Sequence, residues 1–195
     1  MPAVQESEVR CDLQSLPDEQ LARRAQEGCA ASFEELVRRY QVPVLHYLRR
    51  KAFAANDVED MTQETFLRAY RKLRHYRSDR PFRPWLFTVA FRVALNAARD
   101  EKRAEQAKTM GDLMIEAPPS GRGGDNRETR LRLWSIAEDA LSEPQFTALW
   151  LFYVEQLSVR EIGYVLGRSA ASVKTTLFRA RKRLEPYLRE FTKEG

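Results

Sequence analysis

The chain is short of the residues that carry covalent or metal chemistry. Its 195 residues include two cysteines, Cys11 and Cys29, and two histidines, His46 and His75. The cysteines are not spaced as a CxxC pair and have no histidine close by, which argues against a metal site. Neither histidine has a partner in the pattern, so both read as surface or boundary residues. Long apolar runs are also missing: no stretch approaches the roughly 20 apolar residues that a bilayer span needs. The first twenty residues lack an apolar segment and carry a net charge of −4, the wrong sign for a signal or transit peptide. The expectation is a cytoplasmic protein with reduced thiols, no metal and no cofactor. Strand-like alternation of any length is absent, and no internal repeat stands out.

Glycine is scarce and unevenly placed. Of the eight, Gly111, Gly121, Gly123 and Gly124 fall within fourteen residues, with Pro118 and Pro119 among them. Gly loosens the backbone and Pro blocks regular structure, so this run reads as a flexible linker. The chain then divides into an acidic tail (1–14), a first domain (15–104), a Gly/Pro-rich linker (105–127) and a second domain (128–195). Apolar residues recur three and four apart in both domains. The fold class expected is all-α: two small helical domains on a tether.

Several helix starts are written locally. Ser32-Phe-Glu-Glu35 fits a capping box, with a helix toward Tyr40, an end or kink at Pro43 and a second stretch over 44–53. Asn56 or Asp57 caps the next helix, whose apolar face is Val58, Met61, Phe66, Ala69, Tyr70 and Leu73. Asp57, Glu59, Asp60 and Glu64 crowd its first two turns, as the helix dipole favours. A further helix is expected from near Pro84 to about Arg103. In the second domain Ser142-Glu-Pro144 marks a start, because Pro suits the first turn. Ser158-Val-Arg-Glu161 is another capping box, and Ser169 heads a last helix reaching Leu184.

The net charge of +5 hides a strong segregation. Residues 71–103 hold ten Lys and Arg against three acids, with Tyr76, Phe82, Trp85, Phe87 and Phe91 interleaved. Cations displace counterions from phosphates and aromatic faces stack on unpaired bases, although core packing accounts for aromatics at this spacing equally well. Residues 168–183 hold six Lys and Arg and no acid. They follow Glu161-Ile-Gly-Tyr-Val-Leu-Gly167, so a short helix, a Gly-containing turn and a basic helix succeed one another. That is the helix-turn-helix pattern. Ile162, Val165, Leu166, Val173 and Leu177 are spaced to pack the pair. Ser172, Lys174, Thr175, Thr176, Phe178 and Arg179 are left to face a major groove.

Three stretches together resemble bacterial RNA polymerase sigma factors of the extracytoplasmic function (ECF) class. Asp57-Val-Glu-Asp-Met-Thr-Gln-Glu-Thr-Phe-Leu-Arg-Ala-Tyr70 is similar to region 2.2, Phe82-Arg-Pro-Trp-Leu-Phe87 to the start of the promoter-melting helix, and Leu157 to Leu184 to region 4.2. The resemblance runs from about Asp18 to Leu188. It implies a sigma factor that directs core polymerase to promoters and is not itself an enzyme. By motif position, Asp57, Asp60, Gln63, Glu64 and Phe66 would dock on the β′ clamp helices. Arg77, Arg80, Phe82, Arg83, Trp85, Arg92 and Asn96 would engage the −10 element and hold an unpaired base. Arg160, Ser172, Lys174, Thr175, Phe178 and Arg179 would read the −35 element. Phe146, Leu149, Trp150 and Tyr153 would combine a core role with a contact to the β flap. Arg92 stands where the family commonly has Asn, with Asn96 one turn on. Partners implied are core polymerase, promoter DNA and an anti-sigma factor, with no small-molecule substrate and no membrane insertion.

Three other readings compete. An autonomous helix-turn-helix regulator would bind duplex DNA tightly alone. A nuclease or recombinase would want clustered carboxylates, or a nucleophile beside arginines, which the pattern lacks. A purely structural module leaves the basic aromatic stretch unexplained.

Overall fold

In the computed structural model, which describes residues 13–49, 55–108 and 125–191, all regular structure is helical. Side chains are described over 13–49, 58–100 and 132–189. The expected tail lies almost wholly outside these residues, and so does the Gly/Pro-rich run 109–124. The chain divides into two compact units, one built on residues up to Ala98 and the other on most of the rest.

In the first unit, α1 (Asp18–Gln26) packs on α2 (Ala30–Arg49), and α2 packs on α3 (Ala55–Lys72). A 3-10 turn, Leu73–His75, and the loop 76–81 lead into α4 (Phe82–Lys108). Each helix contributes an apolar stripe: Leu21 and Ala22 from α1, Leu36, Val44, Tyr47 and Leu48 from α2, Val58, Met61 and Ala69 from α3. α4 is buried nearly all round in its first half, through Phe82, Leu86, Phe87, Ala90, Phe91 and Ala94. Phe82 lies 5.8 Å from the Tyr40 ring and Phe87 5.9 Å from Tyr47. Burying each such ring stabilises the fold by about 2 kcal/mol.

A polar knot closes the far side of α1 and α2. Arg39 donates to Asp18 at 2.6 Å and to Glu35 at 2.8 Å. It also donates to the carbonyls of Leu13, Gln14 and Leu16. Tyr40 donates its hydroxyl to the second Asp18 oxygen, and Arg38 forks onto Glu35. The Arg38 hydrogen bond, supported by Arg39, holds the buried Glu35 carboxyl down to about 2. Burial, with Asp18 alongside, pushes the Tyr40 phenol far above its ordinary range.

Three local expectations fail here. Ser32 does not cap a helix: α2 starts at Ala30, Ser32 is buried within it, and its hydroxyl donates to Cys29 Sγ at 3.3 Å. Glu35, expected to reach back to Ser32, is taken by the two arginines instead. Of the end or kink expected at Pro43, the end is ruled out: α2 continues to Arg49, with Val44, Tyr47 and Leu48 beyond the proline fully buried. Residues 50–54 of the expected second stretch lie outside the described residues. α4 begins at Phe82 rather than Pro84 and runs past Arg103 to Lys108, since Ala104 to Lys108 are all good helix formers.

The second unit follows its local signals closely. α5 (Asp125–Ala140) leads to α6 (Glu143–Tyr153), where Gln145 Oε1 accepts from the Ser142 N–H at 3.0 Å and Pro144 sits in the first turn. α7 (Val159–Leu166) opens on the expected box: Ser158 N–H donates to Glu161 at 2.7 Å and Glu161 N–H to Ser158 Oγ at 3.3 Å. Ser169 accepts the Ser172 N–H at 3.2 Å at the head of α8 (Ala170–Phe191). α8 continues beyond Leu184 through Pro186, spanned by an Arg189–Glu185 pair. Phe146, Leu149, Trp150 and Leu151 form the core against α5 and α8, with Trp134 5.0 Å from Trp150.

Candidate nucleic-acid interface

The turn between α7 and α8 fixes the basic helix. Gly167 has φ +64, the left-handed conformation in which Gly ends a helix without penalty. Gly163 permits a close approach: a Cβ there would lie 2.6 Å from the Arg168 carbonyl oxygen. Arg168 N–H donates back to the Gly163 carbonyl at 2.8 Å, closing the turn. Of the five residues spaced to pack the pair, Ile162, Val165, Val173 and Leu177 are buried and Leu166 is half-buried.

With that face buried, Lys174, Thr175, Phe178 and Arg179 stand exposed on one side of α8, Phe178 at 65 %. Ser172 is half-buried in the first turn, and Arg160 is exposed on α7. A helix of about 10–12 Å across its side chains fits a B-form major groove. Two residues of the basic run turn elsewhere. Thr176 is buried and donates to its own helix at the Ser172 carbonyl. Arg181 lies over the rings of Phe152 and Tyr153, at 5.4 and 5.6 Å, and donates to the Tyr153 hydroxyl at 3.0 Å. Its partner is α6, and the stacking holds that helix to α8. Among the four α6 residues expected at the β flap, only Tyr153 is exposed; Phe146, Leu149 and Trp150 are core.

In the first unit, Arg77 and Arg80 are exposed on the loop before α4, with Arg77 paired to Asp79 at 3.0 Å. Arg92 and Asn96 are exposed one turn apart on α4. Trp85 and Arg83 are half-buried. Phe82 is 1 % exposed and is therefore a core residue, not a stacking platform for a base. It acts one layer behind: its ring lies 5.4 Å from Trp85 and 5.5 Å from Tyr76, and Tyr76 is 5.1 Å from Trp85. Phe87 and Phe91 are buried as core.

α3 presents a surface of different chemistry. Asp60 and Gln63 are exposed, Glu64 is paired with Arg68 at 2.5 Å and Phe66 is half-buried. The Asp57 side chain lies outside the described residues. Two exposed apolar residues share this helix: Leu67 at 51 % and Tyr70 at 56 %, the latter edge-on to Phe33 at 5.0 Å. Leu67 was not expected at this surface, yet it falls four residues after Gln63 and seven after Asp60, on one stripe. Tyr70 was expected in the core, and its exposure places it here instead.

Among the described residues no group of His, Cys, Asp and Glu is arranged to hold a metal. No described helix is long and apolar enough to cross a membrane. Cys29 is exposed, with its thiol lowered chiefly by the Ser32 hydroxyl; Cys11 lies outside the described residues.

Comparison with known proteins converges on one family. Residues 36–104 match Sigma-70 region 2, and residues 139–184 match Sigma-70, region 4. The RNA polymerase sigma-H factor of Pseudomonas aeruginosa is 33 % identical over 189 residues, 89 % of this chain and 96 % of that protein. The ECF RNA polymerase sigma-E factor of Haemophilus influenzae is 30 % identical, covering 88 % of this chain and 95 % of its own. The structure of CnrH in complex with the cytosolic domain of CnrY superposes with a TM-score of 0.64 at 25 % identity, covering 89 % and 97 % of the two chains.

Proposed function

The chain belongs to the ECF class of the sigma-70 family, and from that premise we propose how its units divide promoter recognition. The second unit reads the −35 element as duplex: Lys174, Thr175, Phe178 and Arg179 enter the major groove, Ser172 and Arg160 contact the backbone. The first unit melts the −10 element and keeps it open. Arg77, Arg80 and Arg83 attract the phosphates, Trp85 offers a half-open ring to an unpaired base, and Arg92 and Asn96 extend the track along α4. Unstacking a base costs a few kcal/mol, and capture of the freed strand offsets that cost. Asp60, Gln63, Glu64, Phe66 and Leu67, with Asp57 at the head of the same helix, meet the basic β′ clamp helices. Tyr153 is the part of α6 open to the β flap. The protein supplies recognition and leaves phosphodiester chemistry to core polymerase. That CnrH was solved with the cytosolic domain of CnrY supports a protein partner, of the anti-sigma kind, for this chain as well.

The observation that carries this reading is the segregation of surfaces: a basic exposed face on α8, a basic loop before α4 and an acidic-apolar stripe on α3. An autonomous regulator has no use for the third. Run-off transcription over the source genome, with core polymerase and the full chain, tests it directly. New polymerase-dependent start sites, with weak duplex binding by the chain alone, are expected; tight specific binding without polymerase and no new start sites would favour the autonomous regulator.

A further inference from the structure

Three hydrogen bonds from α1 converge on the loop that precedes α4. Gln26, the last residue of α1, donates its carboxamide to the carbonyls of Leu73 at 2.7 Å and Tyr76 at 2.8 Å. Glu19, in the first turn of α1, accepts the backbone N–H of Phe82 at 3.0 Å. One residue therefore holds the chain where the loop starts, the other where it ends. Within the loop, Tyr76 donates its hydroxyl to the Arg80 carbonyl, and Arg80 N–H donates to the Arg77 carbonyl at 3.1 Å. The loop is closed on itself and pinned at both ends to a single helix.

The chemistry of each partner fits its place. The first N–H groups of any helix lack intrahelical acceptors, and a side chain just before the helix commonly supplies one. Before α4 stands Pro81, which has no side-chain acceptor, and no acid lies in the first turn. Glu19 fills the gap from 63 residues away and brings negative charge to the positive end of the helix. At the other end, the Leu73 carbonyl already accepts the Tyr76 N–H at 2.8 Å to close the 3-10 turn, and the Gln26 carboxamide, with two N–H groups, reaches its second lone pair and the carbonyl of Tyr76 just beyond the turn.

We infer that Glu19 and Gln26 are positioning residues for capture of the unpaired −10 strand, with α1 serving as the template that fixes the loop before DNA arrives. The inference rests on the reading of this loop as a −10 surface. A loop ordered only on contact would lose affinity to the entropy of ordering, whereas this one meets that cost in folding. Arg77 and Arg80 need not touch α1; they need the backbone that carries them to be held.

The test uses holoenzyme made with the full chain and a promoter recovered from a randomised library by native holoenzyme. Affinity is measured for a fork with a single-stranded −10 non-template strand and for a duplex fragment holding only the −35 element. Measurements are made at a temperature where circular dichroism shows each variant fully helical. Glu19→Ala, and Gln26→Glu, which sets a carboxylate against two carbonyl oxygens, should each weaken fork binding about tenfold, the scale of one charge-assisted hydrogen bond. Binding of the −35 duplex should not change. Glu19→Gln, whose amide oxygen still accepts, should stay within about threefold of native, and Gln26→Met provides a neutral variant should the carboxylate disturb folding. Native fork affinity in Glu19→Ala and in both Gln26 variants would overturn the positioning role. Paired Arg77→Ala and Arg80→Ala separates the two levels. If that variant weakens fork binding while the α1 variants do not, positioning alone fails. If it too binds as native, the loop is not a −10 surface and the inference falls with its premise.

Discussion

In the first unit the bonds that shape the loop before α4 come from α1, between 47 and 63 residues away. In the second, α8 is set by Ser158 with Glu161, Gly163 with Arg168 and Ser169 with Ser172, none more than five residues apart. The difference matches the task proposed for each. A helix that enters a preformed groove needs only a correct angle to its neighbour, which a turn can set. A loop that captures a freed base must hold an irregular backbone rigid, and irregular backbone has no ladder of its own to do so.

The comparison makes graded demands on mutants. The largest effect is expected from Arg39→Met, which removes the cation shared by Asp18 and Glu35 and takes one donor from each of three carbonyls, of which Leu13 keeps the Leu16 N–H. Breaking a part-buried network of this kind costs about 3 kcal/mol. Hydrogen exchange should show the loss in α1 to α4 and leave α7 and α8 protected as before. Equal loss in both units would break the proposed independence. Next comes Gly163→Ala, whose Cβ would press on the Arg168 carbonyl at 2.6 Å. Overpacking against backbone costs about 2 kcal/mol, seen here as faster exchange in α7 and α8 and reduced −35 protection. Ser158→Ala removes one cap and should cost about 1 kcal/mol in chemical denaturation, confined to the same unit.

A separate effect is one of pH. Glu35 titrates near 2 in the folded chain against 4.5 when free, so its contribution is complete above about 4.5 and is lost as the pH falls toward 2. Denaturation of Glu35→Gln over that interval should show a shallower decline in stability than the native chain. A decline as steep as native would mean that the arginines do not hold the carboxylate.

The same contrast explains what could be read from the chain. Ser142, Ser158, Ser169 and the spacing of Ile162, Val165, Val173 and Leu177 act within a few residues, so three of the second unit's described helices were legible, while α5 was not, its start falling in the stretch read as linker. The capping box at Ser32 was a local signal overruled by distant partners: Glu35 is claimed by arginines whose other contacts lie on α1. The helix end at Pro43 was overruled by the buried side chains beyond it. Phe82 carried the right pattern for either a core ring or a base platform, and only tertiary packing decides that it is core. Tyr70, expected in the core, is exposed beside Leu67 for a similar reason, since a helix that packs on one neighbour leaves part of a wide apolar face in water. Glu19 and Gln26 left no signal at all, because nothing near them in sequence reveals a loop more than forty residues on.

The division of labour between the units is tested most directly by a double dissociation in holoenzyme. Affinity for the −35 duplex and for the single-stranded −10 fork is compared in Arg179→Ala and in a variant carrying Arg92→Ala with Asn96→Ala. The account predicts that Arg179→Ala weakens only the duplex interaction and the α4 variant only the fork. Weakening of both fragments by either variant, or the reverse pairing, would contradict it.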